Sequence, residues 1–341
     1  MTCHINNQFT YSKKIIMEKE RTYSIDLLKG IAAFCVVCIH YGPNWLNPLV
    51  RCAVPIFFII TGYYFPSMIK TNFWKHIKKL TIMLICSSGL YCIWEFQQQF
   101  RDHTLDSWMT QTFNYEHFSY WLFLGEDLFG FHLWYFYAVL FGLIIFYFTS
   151  KWKKSKLLYR ATPILLFIFY CGNFTNLPHF YFRNFLFMGV PCMMTGRLIR
   201  ENKDQAIVFL SKEKYLGFYT MVSIAMIYLE ANLINYRYHD YGIRDMYVFT
   251  IPFILPFFYY ALRNPAFGKN TWIANIGRKY SAYIYIFHII AANILAHFTK
   301  NDTSESKALY TPILVFLISL FMAWAFEKLS NTANKILHAK H

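Results

Sequence analysis

Apolar residues recur along this chain in runs long enough to cross a lipid bilayer. A transmembrane helix needs about 17 to 25 predominantly apolar residues. The sequence holds ten segments of about this length, separated by polar and charged connections, and they lack the apolar/polar alternation of membrane β-strands. The pattern predicts an all-α polytopic membrane protein of about ten helices in one bundle, at residues 23–42, 49–68, 80–97, 131–150, 158–173, 181–199, 214–231, 246–262, 281–298 and 309–327.

The connections between these spans alternate in their content of basic residues. Those that follow spans two, four, six and eight hold eighteen lysines and arginines, against seven in the other five. Cytoplasmic loops of membrane proteins are enriched in Lys and Arg, so we expect both termini to be cytoplasmic. The predicted organisation is a cytoplasmic N-terminal extension at 1–22, a transmembrane domain at 23–330 and a cytoplasmic tail at 331–341.

Composition supports a membrane protein and excludes an ordinary soluble domain. Of the 341 residues, 56% are hydrophobic and 15% are charged, whereas soluble proteins carry about 25% charged residues. The net charge of +15 could indicate nucleic-acid binding. The basic residues fall in short clusters between apolar runs, however, as in a multi-pass protein of an inner or plasma membrane. We therefore expect membrane lipid, and no nucleic acid, as a partner.

The first predicted span, SIDLLKGIAAFCVVCIHYG, carries three ionisable residues, Asp26, Lys29 and His40. A helix turns 100° per residue, so Asp26 and His40 share a stripe and Lys29 lies beside it. Charge that faces lipid is costly, so this face should look into the bundle. Asp26 and Lys29 can pair near the cytoplasmic end, with His40 about 16 Å further along the helix. The alternative is that the pair anchors the helix at the interface and His40 is a boundary histidine.

Four motifs resemble the integral-membrane acyltransferase 3 family. R-x4-D-x2-K-G-x9-H spans Arg21 to His40, and VPIFFIITGYYF spans Val54 to Phe65. HLWYF at His132–Phe136 and SAYIYIFH at Ser281–His288 complete the set. They follow one another in the order that the family shows, within the expected ten helices, so the resemblance covers most of the chain.

The resemblance implies an O-acyltransferase. Such an enzyme moves an acyl group, often acetyl, from cytoplasmic acyl-CoA to a hydroxyl of a glycan or lipid-linked sugar. The family's Lys/Arg-x10-His signature is matched by Lys29 and His40. Its basic R-x-x-R signature is matched loosely by Lys75 and Lys78, and lysine lacks the bidentate fork with which arginine binds phosphate.

Acyl transfer to a hydroxyl needs a base that removes the proton as oxygen attacks the thioester. Histidine suits this role, so His40 is the predicted catalytic base; a covalent acyl-histidine is a variant of the same prediction. The donor is acetyl-CoA or another acyl-CoA, whose phosphates favour cations at the cytoplasmic end. For Lys75 and Lys78 the alternative is a topological signal, and for His288 a structural hydrogen bond. The predicted donor-binding residues are Asp26, Lys29, Lys75, Lys78, Tyr285 and His288.

The outer connections are polar and aromatic, which suits a sugar acceptor. Aromatic faces stack on sugar rings and carboxylates accept hydroxyl protons, although Trp and Tyr are also common at membrane interfaces. Glu95 lies within the third span, where a carboxylate is a functional candidate by default unless it marks the helix end. The predicted acceptor-binding residues are Asn44, Trp45, Glu95, Glu126, Asp127, His132, Trp134 and Arg183.

Neither a metal site nor a second function is favoured by the remaining motifs. Cys35 and Cys38 form a C-x-x-C, but no second cysteine pair or histidine cluster completes a zinc site, so no metal is expected. A transporter or flippase of a small solute or lipid-linked sugar is the main alternative, and a sensor or binding domain is another. Transporters often show matched halves with broken helices, which are not evident here, and Lys29 together with His40 favours the enzyme.

Overall fold

The computed structural model describes residues 21–172, 174–175, 177–205, 213–238, 244–300, 304 and 306–338. Residues 1–20 of the predicted extension and 339–341 of the predicted tail lie outside the described residues. All regular secondary structure within the described ranges is helical, so the predicted all-α class is confirmed.

The longer helices coincide with the predicted apolar runs. Short 3-10 turns at Asn44–Leu46, Phe131–Leu133 and His179–Tyr181, and a π-helix at Phe185–Gly189, lie between them. The α-helices are α1 Tyr23–Tyr41, α2 Asn47–Val50, α3 Ala53–Thr71, α4 Phe73–Arg101, α5 Leu105–Thr112, α6 Tyr115–Leu124, α7 Trp134–Lys151, α8 Ser155–Gly172, α9 Val190–Glu201, α10 Glu213–Tyr238, α11 Thr250–Arg263, α12 Trp272–Lys279, α13 Ser281–Phe298 and α14 Lys307–His338.

Seven helical stretches of the described chain are long and apolar enough to cross a membrane. A helix also lies in each of the other three predicted spans, as α8, α9 and α11. Of these, α9 has 12 residues and α11 has 14, which at 1.5 Å per residue is less than a bilayer core of about 30 Å. The chain is thus a multi-pass helical protein, while the count of ten and the inward orientation of the termini stay predictions. The seven stretches are Tyr23–Tyr41, Asn44–Thr71, Phe73–Arg101, Phe131–Lys151, Tyr215–Tyr236, Ser281–Phe298 and Lys307–Thr332.

Two glycines hold α1 in close contact with α12. A Cβ atom added to Gly30 would lie 2.3 Å from the carbonyl oxygen of Ile273, and one added to Gly277 would lie 1.9 Å from that of Asp26. Neither position has room for any side chain. Small residues of this kind let helices approach closely inside a membrane. The contact places the Asp26 end of α1 against the helix that carries Arg278.

The crossing of α3 with α9 also depends on two glycines, Gly62 and Gly196. A Cβ atom on Gly62 would lie 1.8 Å from the carbonyl oxygen of Met193, and one on Gly196 would lie 1.9 Å from that of Ile59. The two helices therefore touch backbone to backbone. This contact fixes α3, which forms one wall of the cavities described below.

The polar stripe of α1 faces the bundle interior over most of its length. Asp26, Ala33 and Val37 are all buried, as the periodicity predicts. His40 is the exception, because it lies at the C-terminal end of α1 and is exposed. The side-chain amide of Asn47 in α2 donates a 3.1 Å hydrogen bond to the backbone carbonyl of Ile39. This bond holds the end of α1 that presents His40.

Candidate active site

The N-terminal end of α1 carries the ion pair that the sequence predicts. Lys29 Nζ lies 3.5 Å from Asp26 Oδ1, while Arg21 donates to Asp26 Oδ2 at 2.8 and 2.9 Å. Asp26 is thus neutralised mainly by Arg21. The contact of Lys29 with Asp26 is the longer one, and 27% of the Lys29 side-chain surface is exposed, so a ligand can reach its ammonium group.

Lys29 lies in the wall of a cavity of about 650 Å³, here called the Lys29 cavity. Helices α1, α3, α4, α7, α12 and α13 contribute to its wall. Its basic groups are Lys29, His76 and Arg278, and the hydroxyls of Tyr64, Thr71 and Ser281 lie nearby. A cavity whose wall carries these cations suits a ligand with phosphate groups.

The predicted donor residues Lys75 and Lys78 lie outside the lining of the Lys29 cavity. Both are exposed near the start of α4, which the side chain of Asn72 caps by accepting from the Lys75 amide at 3.1 Å. His76 lines the cavity instead. Consecutive helix positions differ by 100°, so a cavity that reaches His76 meets a different face from that of Lys75 and Lys78.

A second, apolar cavity of about 240 Å³ leads from the Lys29 cavity towards the other end of the bundle. The two share six wall residues, among them Thr61, Tyr135 and Ser281. Tyr285 lines this middle cavity and also lines a pocket beside His40. The hydroxyl of buried Tyr285 donates to the backbone carbonyl of His132. Tyr285 therefore stands between the Lys29 side and the His40 side.

Three histidine side chains meet beyond Tyr285. The ring centroid of His288 lies 5.3 Å from that of His40 and 5.1 Å from that of His132. His288 Nδ1 donates to the carbonyl of Tyr285 at 2.8 Å, which fixes the tautomer and leaves a lone pair on Nε2 in the neutral ring. Nε2 is buried and has no hydrogen-bond partner among the described residues. The cluster thus presents a ring nitrogen to which no described residue donates a hydrogen bond.

His40 lies at the mouth of a pocket of about 40 Å³, here called the His40 pocket. Such a volume holds little more than a water molecule, so a larger acceptor must approach through the exposed mouth. Phe131, half exposed, lies there with its ring centroid 5.8 Å from that of His40. The charged wall of the pocket consists of Arg51, Arg183 and Asp245.

Arg183 connects several of the predicted acceptor residues. Its guanidinium lies over the ring of Trp134, 5.3 Å from the centroid, and its Nη2 is 3.6 Å from Glu126 Oε1. Burial raises the pKa of the Glu126 carboxyl to about 7, although the charge of Arg183 opposes this shift. The predicted residues His40, Trp134, Arg183 and Glu126 are thus brought together in one region.

Comparison with known proteins assigns the chain to a family. Residues 22–327, essentially the whole chain, match the acyltransferase 3 model, described as an acyltransferase domain. The chain belongs to the acyltransferase 3 family. No curated protein and no solved structure gives a significant match. The protein is therefore a multi-pass membrane acyltransferase that uses an acyl donor and an acceptor, and family membership gives the transporter alternative no support.

In this acyltransferase, Asp127 holds the loop between α6 and α7. Its oxygens accept hydrogen bonds from Ser88 Oγ at 2.7 Å and from the Tyr137 hydroxyl at 3.1 Å. They also accept from the backbone amides of Phe129 at 3.0 Å and Gly130 at 2.8 Å. Four such bonds engage most of the lone pairs of a carboxylate. Asp127 thereby positions the adjacent Glu126.

Three predicted acceptor residues lie away from the His40 pocket. Asn44 and Trp45 form the exposed 3-10 turn after α1, where the carbonyl of Trp45 accepts from the Tyr228 hydroxyl at 2.9 Å. Glu95 lies half-buried on α4. None of the three belongs to the lining of the pocket, and their contact with an acceptor stays a prediction.

The acyltransferase site also contains residues that the sequence analysis missed. Arg51, Asp245 and Arg278 line the cavities, yet no motif singled them out, whereas Tyr135 lies within the HLWYF motif but was not predicted as a site residue. Of the first three, only Arg51 carried a signal, because it is an isolated cation beside a span in a connection poor in basic residues. Among the described residues no group of histidine, cysteine or acidic side chains has the arrangement of a metal site.

Proposed function

We propose that this protein is an inner- or plasma-membrane O-acyltransferase that moves an acyl group, acetyl in the simplest case, from cytoplasmic acyl-CoA to a hydroxyl of a glycan or lipid-linked sugar. The observation that carries the proposal is the pair of sites on the two sides of Tyr285. A cationic cavity lies on the Lys29 side and an exposed histidine lies on the other.

The Lys29 cavity is the proposed donor site. Lys29, His76 and Arg278 would attract the phosphates of CoA, with Arg278 able to form a bidentate contact. Lys75 and Lys78, proposed donor residues as well, would raise the local concentration of the anion from the adjacent surface. The apolar middle cavity, between Thr61 and Tyr135, would take the acyl-pantetheine arm and direct the thioester towards Tyr285.

His40 is the proposed general base. An acceptor that approaches the exposed mouth would place its hydroxyl at the imidazole. His40 takes the hydroxyl proton as the oxygen attacks the thioester carbonyl. The carbon–sulfur bond then breaks, the ester forms and the thiolate of CoA receives the proton, so that His40 is regenerated. Contacts of the acceptor with Trp134, Glu126 and Arg183 would orient the hydroxyl.

His288 is the proposed partner of His40. Its Nδ1 donates to the carbonyl of Tyr285, and its Nε2 has no partner within the described part of the chain. Nε2 is therefore available to accept a hydrogen bond from the cluster, and would stabilise the charge that forms on His40 when it takes a proton. The sequence analysis placed His288 among the predicted donor-binding residues, and its position beside Tyr285 is compatible with contact to the thioester as well.

The experiment that tests this function is acyl-CoA turnover by the full chain in nanodiscs. Free CoA is measured after addition of acetyl-CoA or longer acyl-CoAs, with and without glycan acceptors, for wild type and His40→Ala. We expect CoA release that requires an acceptor, and a rate that falls by about 10²- to 10⁴-fold in the variant. His297→Ala, an exposed histidine on α13, is the matched control and should keep the wild-type rate.

Two results would overturn the proposal. Turnover of His40→Ala at the wild-type rate, in protein that remains folded, would remove His40 as the base. Absence of binding for every acyl-CoA, measured by direct titration of folded wild-type protein, would remove the donor site.

A further inference from the structure

Two guanidinium groups converge on a single carboxylate oxygen in the His40 pocket. Arg51 Nη1 lies 3.4 Å and Arg183 Nη1 lies 3.8 Å from Asp245 Oδ1. The three residues come from segments far apart in the chain, before α3, before α9 and before α11. Arg51 is further held by Asn47, whose Oδ1 accepts from Arg51 Nε at 2.9 Å. Like charges are thus brought together at the pocket where His40 is exposed.

The N–H groups of Arg183 have few hydrogen-bond partners among the described residues. Its contacts to Glu126 at 3.6 Å and to Asp245 at 3.8 Å are too long for hydrogen bonds. Its Nε is buried and has no hydrogen-bond partner among the described residues. A buried donor without a partner is costly, and such groups in a native protein require an explanation. A ligand that supplies acceptor oxygens would satisfy these donors.

The charges of the pocket do not balance at neutral pH. Two guanidiniums face the carboxylates of Asp245 and Glu126. Burial raises the pKa of Glu126 to about 7, so this residue is protonated for part of the time at neutral pH. In the lining of the His40 pocket itself, which includes neither Glu126 nor Asp127, two guanidiniums face the single carboxylate of Asp245. This local excess of positive charge beside exposed His40 and Phe131 favours an anionic ligand.

We propose that the acceptor carries an acidic group, a carboxylate or a phosphate, close to the hydroxyl that is acylated. Arg51 and Arg183 bind the oxyanion, for which the planar guanidinium fork has the right geometry, and exposed Phe131 packs against the sugar ring. The acceptor is then an acidic sugar or a sugar phosphate rather than a neutral glycan. This inference rests on the proposed function, because it names the acceptor class of the same site.

Binding of matched sugars tests the inference without turnover. The probes are methyl glucoside, methyl glucuronide and glucose 1-phosphate, titrated into the full chain in nanodiscs and followed by saturation-transfer NMR. We expect at least one acidic probe to bind about tenfold or more tightly than the neutral one. Binding of both acids assigns a general oxyanion site, and binding of one identifies the acid. Added salt should reduce the preference, because it arises from charge.

Variants assign the preference to the pocket. Arg183→Gln should bring the acidic and neutral probes to similar affinity, whereas Arg183→Lys should retain part of the difference. Arg101→Gln is the matched control, because Arg101 is an exposed arginine near the C-terminal end of α4 and should keep the full preference. Equal binding of all three probes by wild type, or an equal loss in Arg101→Gln, would overturn the inference.

Acyl-CoA titration of the same nanodiscs separates this inference from the proposed function. Acyl-CoA binding with no preference for acidic sugars would refute the acidic acceptor and leave the acyltransferase intact. An arginine-dependent preference in protein that binds no acyl-CoA would support the anion site and refute the proposed donor reaction. If Arg183→Gln does not fold, Arg51→Gln and Arg183→Lys provide the same comparison.

Discussion

The imidazole rings of His40 and His288 face each other with their centroids 5.3 Å apart and their planes tilted by 31°. His40 ends α1 and is exposed, whereas His288 lies in α13 and is fully buried. At this separation, a charge that forms on one ring interacts electrostatically with the other ring. The pair therefore places a solvent-accessible imidazole, that of His40, next to a buried one, that of His288.

His288→Asn should slow acyl transfer without unfolding the protein. The asparagine amide can still donate to the Tyr285 carbonyl, as His288 Nδ1 does, but the basic Nε2 is lost. We expect kcat to fall by about 10²-fold and the pH–rate profile to change, with KM for acyl-CoA unchanged. The measurement is steady-state CoA release from pH 5 to 9. His297→Asn on the same helix is the control, and a wild-type rate in His288→Asn would limit His288 to packing.

Arg278→Gln and Lys29→Gln should weaken donor binding. Both residues line the cationic cavity, so we expect each substitution to raise KM for acyl-CoA by about tenfold, as for loss of one charge-assisted contact. Lys279→Gln is the control, because Lys279 is exposed next to Arg278 and lies outside the lining. Equal effects of Arg278→Gln and Lys279→Gln would indicate surface charge rather than a donor site.

The Glu126 carboxyl should make the folded protein less stable as the pH rises. Its pKa is raised from about 4.5 to about 7, chiefly by burial and also by Asp127 and Asp245, against the charge of Arg183. The folded state therefore keeps a proton that the unfolded state has lost, and its contribution to stability, present below about pH 4.5, disappears as the pH passes 7.

Thermal unfolding in nanodiscs from pH 5 to 8 measures this contribution. We expect the apparent Tm of wild type to fall by a few degrees relative to Glu126→Gln over this range. The comparison with the glutamine variant removes the effects of other titrating groups. Parallel pH curves for the two proteins would show that Glu126 does not titrate in this window.

Gly196→Ala should destabilise the bundle, whereas Gly89→Ala should not. A Cβ on Gly196 would lie 1.9 Å from the carbonyl oxygen of Ile59, so α3 and α9 must separate, while nothing lies within 4 Å of a Cβ on Gly89. Alanine favours a helix over glycine by about 1 kcal/mol, so Gly89→Ala should raise the Tm slightly. Apparent Tm and folded yield in detergent give the comparison. Similar losses for both variants would refute the close α3–α9 contact.

The sequence predicted those parts of the site that lie on one helix. Asp26, Lys29 and His40 share a face of α1 because helix periodicity is local, and the structure puts Lys29 and His40 beside two different cavities. The loop between α3 and α4 was harder to interpret. A run of basic residues indicates a charged surface, but it does not tell which of them faces a cavity, and here the residue in the lining is His76.

What the sequence alone determined is the helical membrane class, the position of the apolar runs, the family and the histidine at the end of the first helix. These follow from residue type and local periodicity, which do not depend on how helices pack. Only the tertiary structure decided that His288 lies beside His40 and that Arg51 and Arg183 share Asp245. Such contacts join residues far apart in the chain, and they arise from close helix crossings whose geometry no local pattern specifies.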